Sequence, residues 1–150
     1  MGTIRHAQSD DLDSLSEIGT KFLQYSRYGK MVDPSSDDIR DGIKVMLDHG
    51  CVMVAEVDGK VVGAIGGTPV NLWFSRTTPV VAELAWWVNE EYRNGSIGVK
   101  LLWAFEDWAQ SIGARAICLS DLALEDGAPV SKILLKLGYS MVEQAHIKEF

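Results

Sequence analysis

The dipeptide Asp58-Gly59 stands between two apolar, β-rich runs, Cys51 to Val57 and Lys60 to Gly66, and no other feature of the sequence narrows the fold as much. Asp-Gly adopts the paired positive φ values of a type I′ turn, whose twist matches that of antiparallel strands, so the two runs form a hairpin. A sheet built around a hairpin is not all parallel. A third apolar run, Val80 to Val88, follows a polar connection around Ser75 to Thr78 and extends the meander.

Helical periods flank this unit. Upstream, a short strand at Thr3 to Ala7 leads to Ser9-Asp10-Asp11, which supplies a cap and first-turn negative charge for a helix striped by Leu12, Leu15, Ile18 and Phe22. Tyr25 to Lys30 breaks the period, and Asp33 to Asp38 opens a second helix through Ile39, Ile43, Met46 and Leu47 that stops at Gly50. Downstream, a long helix carries Ile97, Leu101, Phe105, Trp108 and Ile112 on one stripe and closes at Gly113. A strand at Ala116 to Ser120, a loop over Asp121 to Pro129, a short helix through Ile133 and Leu137, and a last strand from Tyr139 toward Ile147 complete the order. The expected fold is α/β, a single domain over residues 1–150 with a mixed, mostly antiparallel sheet flanked by about four helices.

Composition excludes several classes of function. Val80 to Val88 is interrupted by Glu83 and reaches about half of the roughly 20 apolar residues a membrane span needs. The N-terminus carries no apolar leader, so a cytoplasmic protein without membrane contact is expected. Asp and Glu outnumber Lys and Arg 21 to 14, and no basic block offers the footprint that a nucleic-acid backbone requires. Cys51 and Cys118, each in an apolar run, read as buried reduced thiols. His6, His49 and His146 lie far apart without ligand spacing, and no metal is expected.

One segment carries chemistry. Val88-Asn89-Glu90-Glu91-Tyr92-Arg93-Asn94-Gly95-Ser96-Ile97-Gly98 joins the end of an apolar strand to the start of an apolar-striped helix. Free N–H groups at a helix start, glycines that admit close approach and a neighbouring Arg make an anion site suited to a pyrophosphate, although the same residues also compose a plain turn. Dinucleotide and P-loop readings fail, because GxGxxG and Gly-Lys-Ser/Thr are absent and a hairpin-rich sheet lacks the parallel frame.

This segment resembles the signature of the GNAT family of acyl-CoA N-acetyltransferases: Arg or Gln, two residues, Gly, one residue, Gly or Ala, with a strand-ending Val or Ile five residues upstream. Val88, Arg93 and Gly98 match, while Ser96 holds the middle position and the glycine is displaced to Gly95. Lys132 to Tyr139 is similar to the family's short helix entering a late strand at Gly-Phe/Tyr. The resemblance implies a sheet splayed between its middle strands, with the acetyl-CoA pyrophosphate on the backbone of Arg93, Asn94, Gly95, Ser96, Ile97 and Gly98. The pantetheine arm would lie along Trp87 and Val88, pairing with free main-chain groups. It also implies an enzyme that moves acetyl from acetyl-CoA to a small-molecule or peptide amine in a ternary complex, with a homodimer left open. The alternative is a catalytically inactive acyl-CoA-binding or protein-interaction domain of the same fold.

Glu83 is the single charge of its strand and the candidate general base; simple alternation places it with Ala85 and Trp87, unless a bulge intervenes. Tyr25, Tyr28 and Trp73, with Phe74, flank the two loops that border the acceptor site in the family, and equally suit core cover. Ser120-Asp121 follows the strand facing the thioester or forms a turn, and Lys136 reaches a ribose phosphate or is a solvated helix lysine. The family's usual general acid, a tyrosine five residues before the aromatic of Gly-Phe/Tyr, corresponds here to Leu134. The acids Asp33, Asp37, Asp38 and Asp41 rim the same region and would attract cationic amines, or serve the helix dipole.

Overall fold

The computed structural model describes residues 2–122 and 130–150. Strand β1 (Thr3–His6) and a 3-10 turn (Ser9–Asp11) lead into helices α1 (Leu12–Tyr25), α2 (Arg27–Val32) and α3 (Ser36–His49). Strands β2 (Cys51–Val57), β3 (Lys60–Asn71) and β4 (Pro79–Val88) follow, then a second 3-10 turn (Glu90–Tyr92), α4 (Ile97–Ser111), β5 (Ile117–Cys118) and α5 (Val130–Lys136). The sheet runs β1-β2-β3-β4-β5, antiparallel except for the parallel pairing of β4 with β5. The hairpin turn is as the dipeptide requires, with φ of 51° at Asp58 and 75° at Gly59.

Both faces of the sheet are covered. On one, Leu101, Leu102 and Phe105 of α4 and Leu134 of α5 pack on Cys51, Met53, Ala55, Ile65 and Val81. On the other, Leu15 of α1 and Ile43 of α3 pack on Val52, Val54 and Ala64. Alternate residues of β2 thus enter opposite cores, which is why that strand is apolar without a gap from Cys51 to Ala55. At the sheet edge Arg5 forks onto Asp11 at 2.8 and 2.9 Å and reaches Glu56 at 2.8 Å, while Asp11 also accepts the Gln8 N–H at 2.7 Å. That network ties the entry of α1 to β1 and β2, and Asp11 holds its charge at 8% exposure because the guanidinium and the Gln8 amide depress its pKa.

Several expectations are corrected. The helices number five among the described residues, because α2 forms where the apolar period breaks, its first turn capped by Ser26 Oγ accepting from the Tyr28 N–H at 3.2 Å. The strand expected over 116–120 reduces to Ile117–Cys118. None forms over Tyr139 to Ile147, where Met141 and Val142 are exposed and no strand offers them an edge. Cys118 is exposed on the short edge strand, whereas Cys51 is buried and its thiol is pushed up to about 12 by desolvation. The loop expected over 121–129 lies outside the described residues from 123 onward. No described helix is long and apolar enough to cross a membrane.

β4 carries a bulge. Gly66 faces Ala85 and Gly67 faces Glu83, so Leu84 has no partner and is exposed. Glycine is required opposite, since a Cβ on Gly67 would sit 2.1 Å from the Ala82 carbonyl oxygen. Gly67→Ala must push two backbones apart and is expected to lower unfolding free energy by about 2–3 kcal/mol. Gly95→Ala, where the nearest atom would be 3.8 Å away, should change it by less than about 0.5 kcal/mol; urea denaturation of the two variants checks the contrast.

Candidate active site

The bulge decides which side chains share a face. Val81 packs against α4, and alternation from it puts Glu83 on that same face. Past Leu84 the phase shifts: Trp86 and Val88 join the α4 core, while Ala85 and Trp87 line a small apolar cavity of about 60 Å³ against Leu15, Ile18 and Phe22. Glu83 is therefore separated from Ala85 and Trp87, against simple alternation.

β4 and β5 pair only at Val81–Ile117 and Ala82–Cys118, with the Val81 N–H donating to the Ala116 carbonyl at 2.9 Å. Among the described residues nothing pairs with that edge of β4 beyond Ala82, and the two strands splay. The Asn89 N–H donates to the Val62 carbonyl at 2.9 Å, which fixes the phase of the β3–β4 ladder. The pairs Gly63–Val88 and Ile65–Trp86 are then its non-hydrogen-bonded positions. The main-chain groups of Trp86 and Val88 consequently point away from β3 into the splay. Those of Trp87 are engaged with Ala64, so the groups facing the splay belong to Trp86, which sequence reasoning missed, and to Val88, whose carbonyl accepts the Arg93 Nε–H at 2.7 Å and whose N–H is left free.

Glu83 stands where the strands part, and its Oε2 accepts the Ser120 N–H at 3.3 Å across the gap. Desolvation raises its pKa from 4.5 to about 7, the Ser120 N–H opposing this by favouring the charged form. A carboxylate titrating there is half ionised at neutral pH and suited to exchanging protons.

The turn into α4 leaves a run of main-chain donors unengaged. Among the described residues no backbone N–H from Asn94 to Val99 donates to a backbone carbonyl; Lys100 is the first, bonding the Ser96 carbonyl at 3.0 Å. α4 is 15 residues long, has no side-chain N-cap bond and no acid in its first turn. α3, by contrast, has its N-terminus closed by Ser35 and Asp38. The positive end of the α4 dipole is thus left unneutralised by its own first turn and cap. Ser96 takes φ −92° and ψ 1°, so serine in the glycine position of the signature causes no strain. A Cβ at Gly98 would meet only ordinary contacts, at 3.7 Å from Trp86 and Val88, so its lack of a side chain keeps the helix start open rather than relieving a clash.

Arg93, Trp87 and Tyr25 form one cluster. The Arg93 guanidinium lies over the Trp87 ring at 4.4 Å, and the Tyr25 ring centroid is 5.2 Å from that of Trp87. The Tyr25 hydroxyl donates to Glu90 at 2.6 Å, and that carboxylate raises the tyrosine's pKa. Glu90 is a contact no local signal announced, since it joins the end of α1 to a residue 65 positions later. Tyr28 is exposed on α2, and Trp73, 94% exposed, stacks edge-on with Phe74 at the β3–β4 tip. The structure does not gather Tyr25 and Trp73 into one aromatic cluster. Asp121 accepts the Ser131 N–H at 3.1 Å and so holds the start of α5. Leu134 is a core side chain at 8% exposure, and the Tyr139 hydroxyl donates to Glu106 beside a cavity of about 330 Å³. That cavity is lined by the C-terminal half of α4 and lies away from the cradle at its N-terminus.

A family model described as the acetyltransferase (GNAT) family matches residues 13–139. A probable N-acetyltransferase, camello of Xenopus tropicalis, is 34% identical over 89 residues, 56% of this chain and 36% of its own length, so the chain spans about a third of that relative. Among solved structures, a predicted acetyltransferase of Clostridium acetobutylicum with acetyl-CoA superposes with a TM-score of 0.76 at 15% identity, over 99% of this chain and 96% of that one. An aminoglycoside N-acetyltransferase in complex with CoA superposes at 0.72 with 17% identity, over 100% and 95%. The last two likenesses are of fold.

The raised pKa of Glu83 has a thermodynamic consequence. The native state holds this proton more tightly than the unfolded chain, so stability falls as pH rises from 4.5 through about 7 and the loss persists above. Glu83→Gln is expected to melt like the parent at pH 4 and at a higher temperature at pH 8. Equal melting temperatures at pH 8 would mean an ordinary, solvated carboxylate.

Proposed function

Because the chain belongs to the acetyltransferase (GNAT) family, we propose that it moves an acetyl group from acetyl-CoA to a primary amine by direct attack in a ternary complex. The observation that carries this reading is the α4 N-terminus, open and unneutralised at the end of a strand whose free edge lines the splay. Amides of Asn94 to Val99 would hold the pyrophosphate, and the main-chain groups of Trp86 would pair with the pantetheine arm. These residues fit the group by main-chain geometry and an uncompensated dipole. When bound, acetyl-CoA supplies the activated acyl group.

The chain's own contribution to the chemistry is proton management and polarisation. An alkylamine of pKa about 10.4 is almost wholly protonated at neutral pH. Glu83, poised near 7 at the mouth of the splay, takes that proton directly or through water. The Val88 N–H, aimed into the splay, polarises the carbonyl under attack. Neither cysteine suits a covalent acyl carrier: the Cys51 thiol is buried and held protonated, and Cys118 lies on the β5 edge, with no base among its described contacts. A thiol of pKa about 8.5 leaves without a dedicated acid, consistent with Leu134 in the core at the position where the family's tyrosine would stand.

The acceptor side is the α1–α2–α3 end of the sheet, where Tyr25 packs on Trp87. Of the four acids there, Asp38 is committed to Ser35 and Asp41 lies 3.8 Å from Lys44. Asp33 and Asp37 remain to attract a cationic amine. A binding-only domain is the second reading, favoured by the lack of a proton donor at Leu134.

Calorimetry with acetyl-CoA tests the cradle, and thiol release with a panel of amines, read by product mass, tests the enzyme. Glu83→Gln is expected to lower kcat by about 10²-fold while leaving acetyl-CoA affinity nearly unchanged, and to abolish a rise in rate centred near pH 7. Binding without turnover on any amine would favour the second reading; no binding at millimolar acetyl-CoA would sink both.

A further inference from the structure

The Arg93 side chain is turned back toward the strand it follows. Its Nε–H donates to the Val88 carbonyl at 2.7 Å, and its guanidinium carbon lies 4.4 Å from the Trp87 ring centroid and 6.0 Å from that of Tyr25. The Trp87 indole N–H in turn donates to Asn89 Oδ1 at 3.0 Å, and the Tyr25 hydroxyl to Glu90. The end of β4, the second 3-10 turn and the end of α1 are thereby joined, at the place where the chain must reverse to begin α4.

We infer that Arg93 is a positioning residue: its Nε–H caps the Val88 carbonyl and so fixes the turn on which the anion cradle stands, and its positive charge is not what holds the phosphates. The inference rests on the acyl-CoA reading of the site. Two arguments carry it. The ladder phase aims the Val88 carbonyl into the splay. Left bare there, its partial negative charge would repel any anion approaching the neighbouring amides. The guanidinium, moreover, spends its Nε–H on that carbonyl and lies over an indole, so the side-on pair of Nε and Nη donors is not available for bidentate recognition of a phosphate.

Donor and charge can be separated chemically. Gln carries its amide nitrogen the same number of bonds from Cβ as the Nε of Arg, so Arg93→Gln keeps an N–H aimed at Val88 and removes the charge. Lys has a methylene at that position and its ammonium one bond beyond, so Arg93→Lys keeps the charge and displaces the donor from the place it holds against the Val88 carbonyl.

The experiment measures CoA affinity by calorimetry at several salt concentrations, and the melting temperature of the unliganded protein, for the parent and both variants. Capping predicts that Arg93→Gln stays within about threefold of the parent in affinity, with the same salt slope, and melts near it. Arg93→Lys should bind CoA about tenfold or more weakly and melt lower. The reverse order, with Arg93→Gln losing affinity and about one ion from the salt slope, would make Arg93 a phosphate ligand and overturn the inference. Equal retention or equal loss in the two variants would overturn it too, since then neither the donor nor its absence decides binding. A parent protein that fails to bind CoA at millimolar concentration refutes the acyl-CoA reading instead, and the melting order of the unliganded variants still decides the cap.

Discussion

Among the described residues, strand β4 has a partner from end to end except at Leu84 on one side and for two residues on the other, and the candidate site follows from that asymmetry. Main-chain N–H and C=O groups in a folded interior need partners, and leaving them without one is costly. Where β5 departs, no strand among the described residues pairs with the edge of β4, and apart from the Val88 carbonyl, which Arg93 takes, its directional donors and acceptors face the opening. The same departure brings Glu83 to the opening, out of bulk water but within reach of the Ser120 amide.

Two devices hold the splay open without unravelling the sheet. The bulge at Leu84, admitted by the missing side chain of Gly67, rotates the strand so that Trp86 and Val88 remain rooted in the α4 core while Trp87 crosses to the opposite face. Past the strand end, the Arg93 side chain folds back on Val88. The far edge is fastened separately by the Arg5 fork onto Asp11 and Glu56, so the opening is confined to one side of the sheet.

What could be read from the sequence was what is local. The Asp58-Gly59 turn, the α4 stripe and the strand-to-helix turn depend on residues within a few positions of one another, and they stand where the pattern put them. α2 escaped because a helix of six residues is too short to show a period, although Ser26 was a usable cap signal. Which face Glu83 occupies was not legible, since the bulge lies in the register of two strands and Gly67, whose missing side chain admits the close approach of Ala82, belongs to the other one. The strand expected over Tyr139 to Ile147 fails for a related reason: alternation describes a surface, but a strand also needs an edge to pair with, and β5 is two residues long. The alliance of Tyr25 with Glu90 and Trp87 is likewise a product of the fold, invisible to any window.

A recognition surface made mostly of peptide amides stores its information in the path of the chain rather than in the letters along it. Side chains from Asn94 to Val99 can change with little effect on donors that every residue except proline possesses. Such a site drifts freely in sequence while its shape is conserved, as the superposition of this chain on acetyltransferases at 15–17% identity illustrates for the fold. Mutational intolerance should therefore concentrate away from the ligand, at Gly67 and in the core beneath α4, so that a scan for sensitive positions would outline the scaffold and leave the cradle nearly blank.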